Sequence, residues 1–103
     1  MRIISGDFKG KNLYYLKNST TRPLKDLVKE NIFNIIAHSN LIKLNLKNST
    51  VLDLYSGMGS FGIECLSRGA KKVTFVENNK SALSILNKNL EVLSLSNKSK
   101  VIT

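Results

Sequence analysis

Short unbroken apolar runs alternate along the chain with longer stretches in which apolar residues recur every three or four positions. The runs at 51–54 (Val-Leu-Asp-Leu) and 73–76 (Val-Thr-Phe-Val) are short and mostly apolar, which predicts strands, and Lys100-Val101-Ile102-Thr103 reads as the start of a third. Residues 60–68 follow a glycine-rich turn and predict a helix. Residues 79–93 predict another, with Leu83, Leu86, Leu90 and Leu93 facing the sheet and Asn87 on the same apolar side, pairing locally. An earlier helix is predicted over 23–38. Pro23 suits its first turn, Asp26 suits the positive dipole end, and Leu24, Leu27, Val28, Ile32, Ile35 and Ile36 read as one core-facing stripe. At the amino terminus, residues 2–5 and 11–16 are strand-like around Gly6-Asp7-Phe8-Lys9-Gly10, which predicts a hairpin. Strands that alternate with helices predict an α/β fold with a parallel, Rossmann-like sheet, preceded by a hairpin and a helix.

The junction between the first strand and its helix carries the chemistry. Asp53-Leu54-Tyr55-Ser56-Gly57-Met58-Gly59-Ser60-Phe61-Gly62 places an acid in the strand and a G-x-G-x-x-G turn after it. Glycine allows the backbone to turn tightly and to approach a ligand, and the helix start brings free N–H groups to the same place. Glu77 closes the second strand, twenty residues after Gly57, a spacing that suits a carboxylate accepting hydrogen bonds from ribose hydroxyls. An ionised Asp53 among Val51, Leu52 and Leu54 is costly unless a cationic or donor-rich ligand meets it. That favours S-adenosyl-L-methionine, which has an ammonium, over NAD, whose diphosphate the acid would repel. The cofactor-binding set read from this pattern is Asp53, Tyr55, Ser56, Gly57, Gly59, Gly62, Glu77 and Asn78, the last placed to touch the adenosine.

Several blocks together resemble one family: Met1-Arg2-Ile3-Ile4-Ser5-Gly6, Thr21-Arg22-Pro23, Val28-Lys29-Glu30 with Phe33-Asn34, Val51-Leu52-Asp53-Leu54, and Leu66-Ser67-Arg68-Gly69-Ala70 with Val76-Glu77. The chain is similar to the bacterial 16S ribosomal RNA guanine-N2 methyltransferases, collinearly from residue 1 to about residue 93. The resemblance implies a Rossmann-like class I methyltransferase that uses S-adenosyl-L-methionine to methylate a guanine N2 in 16S ribosomal RNA or the small ribosomal subunit, in a cytoplasmic setting, with no metal and no membrane, and monomeric in full-length form. Leu24 and Leu27 depart from the Thr and basic residue usual in that family. The family also carries an Asp-Pro-Pro-Tyr type motif after its fourth strand. This chain has one proline, Pro23, so none of its residues is carried over as catalytic.

At 103 residues the chain is shorter than the roughly 150 to 200 that a doubly wound domain of this kind takes, which predicts a fragment whose first strand is an open edge. Residues 1–47 read as a basic, RNA-facing hairpin and helix, and residues 48–103 as the cofactor-binding half of the methyltransferase domain. Nine basic residues against three acids in 1–47 supply two thirds of the net charge of +9. Such an excess fits a polyanionic partner, and it fits equally a composition rich in Lys, Asn, Ile and Ser. Arg2, Lys9, Lys11, Arg22 and Lys25 are the candidate RNA contacts, with Phe8, Tyr14 and Tyr15 either stacking on bases or covering the core.

The remaining chemistry is thin. His38 reads as a capping or surface residue, Cys65 as buried packing without disulfide or zinc partners, Glu64 as a solvated face residue, and Lys71-Lys72 as a solvated loop. No apolar run is long enough for a membrane span, and Met1-Arg2-Ile3-Ile4 has no signal-peptide pattern. Two other readings remain open: a non-catalytic RNA- or cofactor-binding module, and a fragment of an N6-adenine methyltransferase.

Overall fold

The structure is a computed structural model that describes residues 1–16, 25–39, 41 and 44–103. Its elements follow the expected order: α1 (Asp26–His38), β1 (Thr50–Leu54), α2 (Ser60–Ser67), β2 (Lys72–Val76), α3 (Lys80–Val92), a single 3-10 turn (Ser96–Lys98) and β3 (Ser99–Ile102). The strands form a parallel sheet in the order β1-β2-β3, with Asp53 opposite Phe75 and Phe75 opposite Val101. The fold is α/β with a partial Rossmann-like sheet.

Both crossovers step in the same direction along this sheet, so right-handed connections put α2 and α3 on one face. Val73, Phe75, Ile63, Leu66, Leu86 and Leu90 fill the core between them. Leu52, Leu54 and Ile102 lie on the opposite face, 41% to 61% exposed, so that face is bare. Close approach of α2 to the sheet depends on Gly62. A Cβ there would overlap the Phe75 ring and press on Val73.

The amino-terminal segment forms the predicted hairpin with a short ladder. Its arms do pair antiparallel, with Ile3 N donating to Lys11 O (2.9 Å) and Leu13 N to Met1 O (2.9 Å), but only Arg2 and Asn12 make a bridge. The reason lies in where the next donors go. Ile4 N and Ser5 N donate to the Glu64 carboxylate on α2, Asp7 N to Ser67 O (2.8 Å) and Phe8 N to Ser67 Oγ (3.0 Å). The arm is thus fastened to a helix instead of extending a ladder. Gly6 makes the seam possible, with φ +89° and no room for a Cβ against the Ser67 carbonyl. Gly6→Ala should cost about 2–4 kcal/mol in urea denaturation, whereas Gly10→Ala, at φ +85° with nothing within 4 Å of the new methyl, should cost only about 1 kcal/mol.

The α1 helix also buries only part of the predicted stripe, with Ile32 and Ile36 half-buried and Ile36 packed against the core. Lys29 and Phe33 are fully buried, while Leu27 (68%), Val28 (43%) and Ile35 (56%) are exposed. Phe33 stacks on Phe61 (centroids 4.9 Å apart) and lies 4.4 Å beneath the Arg68 guanidinium, and Lys29 is drawn in by Glu64. These polar and aromatic partners, which periodicity cannot show, turn the helix about its axis. Pro23 and Leu24, assigned to its start, lie outside the described residues, and the observed helix begins at Asp26.

Candidate cofactor site at the glycine loop

Residues 55–59 leave β1 and enter α2 through a tight loop in which Tyr55 (φ 55°), Gly57 (φ 58°) and Gly59 (φ 94°) all take left-handed backbone. The loop is tied to the sheet by Ser56 N donating to Val76 O (2.9 Å) and closed on itself by Gly59 N to Ser56 O (3.0 Å). Gly59 could not be larger: a Cβ would run into Leu86 Cδ1 of α3. Gly57 N donates to Glu77 Oε1 (2.8 Å), so the two residues that the twenty-residue spacing singled out do meet.

Glu77 does more than wait for a ligand. Its Oε2 accepts from Asn78 N (3.0 Å) and Asn79 N (2.9 Å), and the Asn79 side chain then caps α3 by accepting from Ala82 N (2.9 Å). Three backbone N–H groups therefore hold the carboxylate, and of about four acceptor positions roughly one is left. Asn78 itself is exposed, and Tyr55 is 92% exposed.

Asp53 sits 9% exposed at the loop's base, and its Oδ2 accepts from Gly62 N (3.1 Å). Among the described residues no basic side chain pairs with it. Burial pushes its carboxyl up to about 6, with the Gly62 hydrogen bond pulling weakly the other way. Three residues further on, the Ser56 hydroxyl is buried with no hydrogen-bond partner among the described residues. An unpaired acid and an orphaned hydroxyl next to strained loop backbone fit a ligand that brings positive charge and donors, as the amino-acid end and ribose of S-adenosylmethionine would.

The predicted basic group is divided. Arg2 reaches Asp26 on α1 (3.5 Å), next to Lys25 at the helix start, whereas Lys11 lines a cleft of about 490 Å³ with Asp7, Phe8 and Lys98. Lys9 lies in the turn between Gly6 and Gly10, and Arg22 lies outside the described residues. Among the exposed rings, Tyr14 is 45% exposed and covered by the Lys88 ammonium at 4.0 Å.

Two expectations are corrected here. Glu64 is not solvated but fully buried, holding Lys29 (3.4 Å) and Arg68 (2.8 Å) as well as the arm's backbone. Asn87 is exposed, and Asn89 is the buried asparagine of α3. A signal for Glu64 was present: it is the only charge in a helix otherwise apolar or small all round, and such a helix is buried. Cys65 is buried as expected, and burial, with the Asp53 and Glu64 carboxylates adding to it, pushes the thiol up to about 12, which leaves it inert. Among the described residues no cluster of His, Cys, Asp or Glu could hold a metal, and no helix is long and apolar enough to cross a membrane.

Known proteins are similar to this chain in sequence and in fold. The family model described as Conserved hypothetical protein 95 matches residues 1–103. The ribosomal RNA small subunit methyltransferase D of Haemophilus influenzae is 42% identical over 96 residues, which cover 93% of this chain and 47% of that protein. A candidate rRNA methyltransferase of Bacillus subtilis is 39% identical over 101 residues, covering 98% of this chain and 52% of the relative. Among solved structures, a candidate methyltransferase from Escherichia coli superposes with a TM-score of 0.78 at 30% identity, over 99% of this chain and 51% of that one. The chain thus spans about half the length of the curated relatives it matches. With the family model matched over residues 1–103 and relatives named as rRNA methyltransferases more than 30% identical along nearly all of it, the chain belongs to the family described as Conserved hypothetical protein 95.

Proposed function

We propose that this chain forms the cofactor-holding and RNA-facing portion of an enzyme that transfers a methyl group from S-adenosyl-L-methionine to a guanine N2 of 16S ribosomal RNA. The observation that carries the reading is Asp53, a buried carboxylate at the base of a glycine loop that no basic side chain among the described residues meets. In this reading Asp53 receives the cofactor's ammonium, Glu77 uses its remaining acceptor position for a ribose hydroxyl, and Asn78 lies against the adenosine. Tyr55 and Ser56 border the ligand, Gly57 and Gly59 give its backbone approach, and Gly62 seats the helix that closes the site. When bound, the cofactor supplies an electrophilic methyl on a sulfonium sulfur. What this chain contributes is position, since methyl transfer to an exocyclic amine requires donor and extruded base to be held in line.

Residues 1–47 are proposed to face RNA and residues 48–103 to hold the cofactor. Arg2, Lys9, Lys11, Arg22 and Lys25 would supply phosphate contacts to ribosomal RNA or to the small subunit. Replacing Arg2, Lys9 and Lys11 together by alanine should weaken binding to a 16S ribosomal RNA fragment and flatten its salt dependence by about two to three units of slope. Filter binding over a salt series reads this directly. An unchanged slope would mean that the basic excess is compositional and would remove the RNA-facing assignment.

A further inference from the structure

The amino-terminal arm grips the glycine loop through two buried side chains that the proposed chemistry leaves unused. Asn89 of α3 is 2% exposed. Its Oδ1 accepts from Tyr14 N (2.8 Å), and its Nδ2 donates to Tyr14 O (3.1 Å) and to Met58 O (3.1 Å). Lys29 of α1 is fully buried and donates from Nζ to Arg2 O (2.6 Å) and to Ser60 Oγ (3.0 Å). Asn89 therefore joins the arm to the loop, and Lys29 joins the arm to the first residue of α2, where the loop ends. The two grips fall on residues 58 and 60, either side of Gly59, whose left-handed backbone has no room for a Cβ against Leu86. On the arm they fall on residues 2 and 14, which lie on facing strands joined by the Arg2–Asn12 bridge and by Leu13 N to Met1 O. Movement of either strand is passed to the loop.

We infer that Asn89 and Lys29 are positioning residues that set the shape of the cofactor loop from the arm, so that RNA on the arm and ligand at the loop change each other's affinity. This rests on the functional reading above for what the two sites hold. The mechanical link does not. A buried asparagine whose amide makes all three of its bonds across two segments has no freedom to let one move alone, and a buried ammonium shared among Arg2 O, Ser60 Oγ and the Glu64 carboxylate is held in the same way. Because linkage is reciprocal, whatever factor RNA applies to the cofactor analogue, the analogue applies to RNA.

Two measurements on the full chain test this. The first is calorimetry of S-adenosylhomocysteine with and without a saturating 16S ribosomal RNA fragment. The wild-type affinity should change by at least about fivefold, within the usual range of coupling, and Asn89→Ala and Lys29→Met should bring the factor within about twofold of one. Lys29→Arg, which keeps a buried donor, should recover at least half of it on a logarithmic scale. The second is hydrogen exchange without any ligand, in which Asn89→Ala and Lys29→Met should speed exchange of the amides of residues 57–60 by about tenfold or more while the three strands stay protected. Independent binding by the wild type, or coupling that survives both substitutions, overturns the inference. If S-adenosylhomocysteine does not bind the wild type at all, the cofactor reading fails, and the exchange data alone then decide the link: unchanged exchange in the loop refutes it.

Discussion

Glu64→Ala should destabilise the chain by about 3–5 kcal/mol, the usual cost of removing one partner from a buried ion pair. Glu64 is fully buried, and each of its oxygens serves two donors: Oε1 takes Ile4 N (2.8 Å) and faces Lys29 Nζ (3.4 Å), while Oε2 takes Ser5 N (3.0 Å) and Arg68 Nε (2.8 Å). Its loss strands two backbone donors and leaves a buried ammonium whose pKa burial already lowers, with Glu64 the main influence holding it up. Urea denaturation at neutral pH measures the effect. Adding Lys29→Met to Glu64→Ala removes the uncompensated charge, so the double variant should be more stable than Glu64→Ala alone. A loss below about 1 kcal/mol for Glu64→Ala would show that the cluster contributes no more than an exposed ion pair.

Asp53→Asn should act in two opposite directions. Burial raises the Asp53 carboxyl from 3.8 to about 6, so the folded state holds this proton more tightly than the unfolded state. The resulting stabilisation is complete below about pH 4 and is lost as pH rises through 6, and at pH 7 the wild type carries the cost of a buried charge. Asparagine keeps an acceptor for Gly62 N and removes that cost. The variant should therefore be more stable than wild type at pH 7, by about 1–3 kcal/mol, with the advantage vanishing towards pH 4. Affinity for S-adenosylhomocysteine should fall by about 1–3 kcal/mol, the loss of a charge-assisted bond. Denaturation at pH 4 and pH 7 together with calorimetry separates the two effects. Equal stability at both pH values would refute the buried-charge argument, and an unchanged affinity would refute the ammonium contact.

The parts of the molecule that were legible in the sequence are those encoded locally. The strands at 51–54 and 73–76, the turn between Gly57 and Gly62 and the distance to Glu77 depend on neighbours in the chain, and the structure joins Gly57 to Glu77 as the spacing implied. What escaped was set by partners far away in sequence. Glu64 and Ile4 are 60 residues apart, and Asn89 and Tyr14 are 75 apart. No periodicity announces such pairs. The stripe on α1 misled for the same reason, since hydrophobicity favours Leu27, Val28 and Ile35, whereas the attraction of Lys29 to Glu64 and of Phe33 to Phe61 and Arg68 decides which face turns inward.

The seam between the arm and α2 has a consequence for the order in which this chain can assemble during synthesis. Residues 1–16 are made before α2 and α3, yet backbone donors among them are satisfied by Glu64, Ser67 and Asn89. At about 5–20 residues per second, the basic amino terminus spends several seconds outside the ribosome before α2 exists to receive it, and longer before α3 completes the clasp. A segment made early is thus placed late, and for that interval Lys9 and Lys11 travel on a stretch of chain whose partners on α2 and α3 do not yet exist.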